Sequence, residues 1–201
     1  MAQYAGEIAD LMHATGPATY EYQFDGRALF DHIVNASWPT RGTLFGYDAA
    51  TLALDGEVLL GIEVGFPGPE FKPRKKALAS FWPRLIKVGE VTAEQLSVIG
   101  ERSYLCSYLN AAIPAQAYYL HALAVKDGYR GRRIGATLLL HAIEQAKQAG
   151  LRALHLDVLS DARAVDFYRS MGMACLVEST APVPLQAGVP MEMRMAIDFG
   201  Q

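Results

Sequence analysis

Cysteine is nearly absent from this chain: Cys106 and Cys175 are the only two in 201 residues, far apart and without His or Cys neighbours at ligand spacing. That excludes a disulfide scaffold and a zinc site, and both thiols are expected to be reduced and in the core of a cytoplasmic protein. An excess of charge of one sign is missing as well. With 18 Lys+Arg against 21 Asp+Glu the net charge is −3, which exerts no overall pull on phosphate backbones or anionic lipid, so neither nucleic acid nor a membrane is an expected partner. Any anion site must therefore be local. The longest apolar stretches, Tyr118 to Val125 and Ile134 to Leu140, fall short of the roughly 20 residues a spanning helix needs. Glu7 and Asp10, with no positive patch ahead of an apolar run, do not form a secretory signal.

What is present is core material. Hydrophobic residues make up 51% of the chain and charged residues 19%, which suits one domain or one domain with an insertion. Ile8, Leu11 and Met12 share a helical face in a run that stops at Gly16-Pro17, and a second helix is predicted over Gly26 to Ala36. Strands Ala50 to Leu54 and Glu57 to Phe66 meet at Asp55-Gly56, a dipeptide suited to a tight hairpin turn. From 67 to 114 the composition changes. Three prolines and the basic run Lys72, Arg74, Lys75 and Lys76 open this segment, which reads as a helical insertion. The run reads as a solvated helix start, with an anionic substrate or distal cofactor phosphates as the alternative. Thr92-Ala93-Glu94-Gln95 has the form of a capping box for a helix from Ala93 to about Ala112.

The last third alternates strands and helices. Strands are predicted over Tyr118 to Val125, Leu154 to Leu159 and Ala174 to Ser179, helices over Ile134 to Ala149 and Ala162 to Ser170. Met191, Met193, Met195, Ile197 and Phe199 alternate with Glu192, Arg194, Ala196 and Asp198, the period of a half-buried strand. The fold class is thus α/β or α+β with a sheet of mixed direction.

Between the strand ending at Val125 and the helix starting at Ile134 lies Lys126-Asp127-Gly128-Tyr129-Arg130-Gly131-Arg132-Arg133. Gly131 and Gly135 let the backbone approach a ligand, the first amides of a helix are free donors, and the helix dipole favours an anion there. Arg130, Arg132 and Arg133 add charge to the same corner. A plain glycine-containing turn with exposed arginines is the other reading. Neither G-x-x-x-x-G-K-[ST] nor G-x-G-x-x-G occurs here, so a nucleoside triphosphate loop and a dinucleotide fold are unsupported.

Arg130-Gly131-Arg132-Arg133-Ile134-Gly135 resembles the pyrophosphate loop [Q/R]-x-x-G-x-[G/A] of the GNAT superfamily of acyl-CoA-dependent N-acetyltransferases, with Arg133 where the first glycine is usual. Leu156-Asp157-Val158, Asp161, Ala164, Phe167-Tyr168 and Met171-Gly172-Met173 are similar to the family's strand followed by N-x-x-A-x-x-x-Y-x-x-x-G-F. Asp161 stands for the usual Asn as a cap of the short helix, and Met173 for the usual Phe; the resemblance implies that Asp161, Ala164 and Tyr168 also contact the cofactor. The resemblance covers Tyr118 to Met173 and implies one GNAT-like domain over 1–201, with a mixed, mostly antiparallel central sheet flanked by helices. It implies acetyl-CoA as co-substrate, without a metal, between two splaying strands. Pantetheine would bond main chain at Leu123, Ala124 and Val125, the pyrophosphate would sit on Arg130 to Ala136 (Ile134, Gly135 and Ala136 included), and the Val125 amide would face the thioester oxygen.

By the same resemblance Tyr168 is the acid that protonates the departing thiolate. The family's frequent strand glutamate is missing. His121, expected to share a face with Tyr119 and Leu123, is the candidate base, with Glu63 and solvent or substrate-assisted proton loss as alternatives. His141 and His155 read as structural. The acceptor is expected to be a small-molecule or peptide amine, and Tyr20, Tyr22, Phe24, Trp38 and Trp82 could line its pocket or belong to the core. Self-association into a homodimer is left open. A non-catalytic acyl-CoA-binding or regulatory module of the same fold is the alternative function.

Overall fold

A computed structural model describes residues 4–109 and 112–200, and in it three helices precede the first strand. α1 (Ala5–His13) and α3 (Arg27–Ser37) form as the apolar spacing predicts. Pro17 does not end the helical region but opens α2 (Pro17–Gln23), a position where its fixed φ and missing N–H cost nothing. The β1 (Ala50–Asp55) and β2 (Val58–Pro67) hairpin turns at Gly56, whose φ is +58°.

The segment from 67 to 114 is helical, with α4 (Phe71–Ala77), α5 (Trp82–Lys87) and α6 (Ala93–Leu105). The capping box of α6 is made in full: Gln95 N donates to Thr92 Oγ1 at 3.1 Å and Thr92 N to Gln95 Oε1 at 2.9 Å. α6 ends before the predicted Ala112, giving way to a tight turn at Cys106–Tyr108; residues 110 and 111 of the predicted helix lie outside the described residues. The basic run is not uniformly solvated. Arg74 is buried under Phe66 and bonds Asp48 at 3.1 Å, Glu70 at 2.8 Å and the Thr43 carbonyl at 3.2 Å.

The remaining elements are β3 (Ala117–Val125), α7 (Ile134–Gln148), β4 (Ala153–Leu159), α8 (Ala164–Ser170), β5 (Ala174–Ser179), α9 (Pro182–Gln186) and β6 (Glu192–Asp198). Six strands form one sheet in the order β1-β2-β3-β4-β6-β5, every pair antiparallel except β3 with β4. This is the mixed, mostly antiparallel sheet flanked by helices that was expected. One apolar cluster gathers α1, α3 and residues such as Tyr119, Ala122 and Ala124; a second gathers α7, α8 and residues such as Tyr118, Leu120 and Val158.

Two expectations fail for physical reasons. β6 is not half-buried: lying between β4 and β5, it buries Glu192 and Arg194 as well as its methionines. Cys106 is buried as expected, but Cys175, on the edge strand β5, is exposed.

Candidate active site

β3 and β4 pair only from Ala117/Ala153 to Leu120/Leu156. Beyond that β3 continues to Val125 and β4 to Leu159 without pairing, so the sheet opens into a cleft. Lys126 N donates to the Leu60 carbonyl at 2.9 Å. Antiparallel alternation then makes Val125 and Leu123, opposite Gly61 and Glu63, the residues whose main-chain groups turn away from β2 and into the cleft. Ala124, expected alongside them as a main-chain contact, instead turns its peptide groups toward Ile62.

Register on β3 is also broken. Val64 pairs with Ala122 and Gly65 with Leu120, which leaves His121 as the extra residue of a bulge. The expected common face of Tyr119, His121 and Leu123 therefore does not form. His121 stays beside Tyr119, Phe45, Phe66 and Phe71, with ring centroids 5.6 to 6.4 Å away, whereas Leu123 packs on the opposite cluster.

At the mouth of the cleft, α7 begins with free amides. Its first capping bond joins Thr137 N to the Arg133 carbonyl at 3.0 Å, and no side chain caps the turn, so the amides of Ile134, Gly135 and Ala136 remain available donors. Gly131 has φ +78° and Arg133 φ +64°. Arg133 thus adopts the left-handed conformation that glycine supplies freely, at a cost of about 1–2 kcal/mol. Arg130 Nε holds the Val125 carbonyl at 3.2 Å, and Arg132 lies over the Tyr129 ring. A Cβ on Gly135 would lie 3.6 Å from Val125 and 3.7 Å from Phe167, narrowing the groove between β3 and α8. Free amides, glycine clearance and a cationic corner together fit an acyl-CoA pyrophosphate and pantetheine.

A cavity of about 1120 Å³ runs through this cleft from the α7 corner to α2, α4 and α6. Tyr168 lines it, buried, its hydroxyl pushed above the usual phenol range by burial alone. Ala164 lines it as well, but Asp161 does not, and Asp161 does not cap α8, because the turn places Arg163 at the cap position. His121 lines the cavity with its Nε2 buried and unpartnered; burial, then the nearby Lys75 charge, bring its pKa down to about 4. Glu63, the rival base, faces away. It accepts from the Tyr118 hydroxyl at 2.9 Å and does not line the cavity. Tyr20, Phe24 and Trp82 do line it, whereas Trp38 is core and Tyr22 stacks with Arg102.

The sequence reading missed Glu192. Its carboxyl lines the cavity beside Thr19, whose hydroxyl donates at 3.4 Å, and its pKa is pushed up to about 7 by burial and by Asp157. Asp157 itself is committed to Arg194 at 2.6 and 2.8 Å and to the Tyr119 hydroxyl at 2.9 Å. No group of three or more His, Cys, Asp or Glu among the described residues is arranged to hold a metal, and no helix among them is long and apolar enough to cross a membrane.

Residues 91–173 match the acetyltransferase (GNAT) family. The match begins inside the segment read as an insertion, so α6 belongs to it. Among solved structures, an N-acetyltransferase from Staphylococcus aureus Mu50 is similar with TM-score 0.73 at 14% identity, covering 98% of this chain and 97% of that one. A second structure described as an acetyltransferase reaches TM-score 0.69 at 20% identity, covering 100% of this chain and 97% of that one. No curated protein matches the chain in sequence.

Proposed function

With a GNAT acetyltransferase domain over residues 91–173 and an acetyltransferase fold around it, we propose that the protein transfers an acetyl group from acetyl-CoA directly to a primary amine. The observation that carries this reading is the cleft itself. Main chain of Leu123 and Val125, free amides of Ile134 to Ala136, and Tyr168 all meet one cavity that continues to Glu192.

In this reading Arg130, Arg132, Arg133 and the α7 amides hold the pyrophosphate, and the Val125 amide donates to the thioester oxygen, stabilising the charge that develops there. An alkyl ammonium has a pKa of about 10.4 and is no nucleophile until it loses a proton. Glu192, with its pKa near 7, is substantially ionised at neutral pH, so it can accept that proton as the amine enters reaction and pass it on to water. His121, at about 4, is a much weaker acceptor, so we assign it to packing among the rings around it. As the amine attacks, Tyr168 donates to the departing sulfur and recovers a proton from the nitrogen. One amide, one thiol and one proton passed by Glu192 to water balance the reaction.

The test is to incubate the protein with acetyl-CoA and a panel of primary amines while following free thiol. Amine-dependent thiol release at a rate above the hydrolysis blank is expected. Tight acetyl-CoA binding with no release for any amine would overturn the reading in favour of a binding module.

A further inference from the structure

Two side chains of opposite charge face the acceptor half of the cavity without being used up by the fold. Glu192 stands at one wall, and Lys75 at another, on α4. Phe71 and Lys75 are four residues apart and share a helical face. The Phe71 ring packs on Tyr119 and His121, so this face turns Lys75 inward rather than into solvent. The neighbouring Arg74 is saturated by Asp48 and Glu70. Lys75 has no carboxylate partner among the described residues, and burial draws its pKa below the usual range; the nearby Cys106 thiol is kept protonated by burial, its pKa pushed up to about 11, and supplies no counter-charge. Cys106, whose titration is influenced by both Glu192 and Lys75, lines the same cavity as they do.

An unpaired, half-buried ammonium is costly unless a ligand supplies its counter-charge. The cavity these two charges share is also lined by the aromatic residues Tyr20, Phe24, Phe45, Phe71 and Trp82. Resting on the reading that an amine is the acceptor, we infer that the acceptor is a zwitterion. It is an amino acid-like primary amine with an apolar or aromatic body, its amine toward Glu192 and its acid group on Lys75.

The probes are phenylalanine, leucine and their decarboxylated counterparts, phenethylamine and isoamylamine. Thiol release with acetyl-CoA gives kcat/KM, and calorimetric titration into the CoA complex gives affinity without turnover. The acids are expected to exceed the bare amines at least tenfold in both readouts. In Lys75→Met that ratio should collapse toward one, chiefly through KM, and Lys75→Arg should restore it. Equal handling of acid and bare amine by the native protein, or a preference that survives Lys75→Met, overturns the inference while leaving amine acetylation standing. A binding preference for the acids without any thiol release overturns the acetyl-transfer reading, and the acceptor assignment with it, while keeping Lys75 as a carboxylate site. Failure of both acids to bind overturns the inference.

Discussion

Glu192 is the register partner of Leu159 in the β4–β6 ladder, so it stands where β4 has already run clear of β3. A carboxyl at that point faces the opened cleft instead of a neighbouring strand, and its burial sets its pKa near 7. As the proposed base it would work only when ionised. The expected pH profile of kcat/KM therefore falls as pH drops through about 7. Glu192→Gln should cost about 10²- to 10⁴-fold in rate and erase that limb. His121→Gln should leave the limb in place, because His121, at about 4, is neutral across this range. A limb that survives Glu192→Gln and vanishes with His121→Gln would reverse the assignment.

Glu63 predicts a stability effect of definite sign. Its carboxyl is fully buried, one oxygen lacks a partner, and its folded pKa is about 7 against an ordinary 4.5. A raised carboxylate pKa means the stability is present below the unfolded value and is lost as pH rises through the folded one, on the order of 3 kcal/mol by pH 8. Glu192 acts in the same direction. Urea unfolding at pH 5 and pH 8 should show the native chain weakening between them. Glu63→Gln, which keeps the bond from Tyr118, should remove about half of that loss. An unchanged pH slope in Glu63→Gln would show that the carboxyl is not buried as described.

Local signals were legible in the sequence because they depend on a few adjacent residues. The capping box at Thr92 and Gln95, the hairpin at Gly56 and the loop leading into α7 all formed where their residues required. Signals that depend on which element covers which were not. The alternation in β6 sent Glu192 and Arg194 to solvent on paper, yet periodicity cannot reveal that β5 lies outside β6 and α2 approaches its end. The same ignorance of neighbours made Arg74 and Lys75 look solvated. The bulge at His121 was illegible for another reason. It falls opposite the step from Val64 to Gly65, where a Cβ on Gly65 would sit 2.3 Å from the Tyr118 ring, and only the fold brings those residues together.

Arg133 offers a test of strain against charge. Its φ of +64° is a conformation that costs a residue with a Cβ about 1–2 kcal/mol and glycine much less. Arg133→Gly and Arg133→Ala both remove the same cation, so both should weaken CoA binding several-fold and to a similar degree. They should differ in stability, the glycine variant being more stable by about 1 kcal/mol in thermal unfolding. Equal stability of the two would mean that the loop does not hold this residue in the left-handed region.

Tyr168 separates a chemical role from a structural one. Its ring packs against Phe167 at 5.2 Å between centroids and belongs to the α7–α8 cluster, whereas its hydroxyl lies at the cavity and has no bonding partner among the described residues. Tyr168→Phe keeps the ring and removes only the donor, so the fold and the CoA affinity should stay near their native values. Burial holds the phenol protonated through the pH range of the proposed reaction, so its loss should lower kcat by a similar factor across the whole profile and leave the limb near 7 assigned to Glu192 unmoved. The drop should be about 10²-fold or more. It should shrink when the acetyl donor carries a more acidic thiol, since a better leaving group needs less help from a proton. Thiol release with acetyl-CoA and with a low-pKa aryl thioester bearing the same acetyl group reads this directly. A native rate in Tyr168→Phe would leave Tyr168 as packing alone, with the departing sulfur protonated by water.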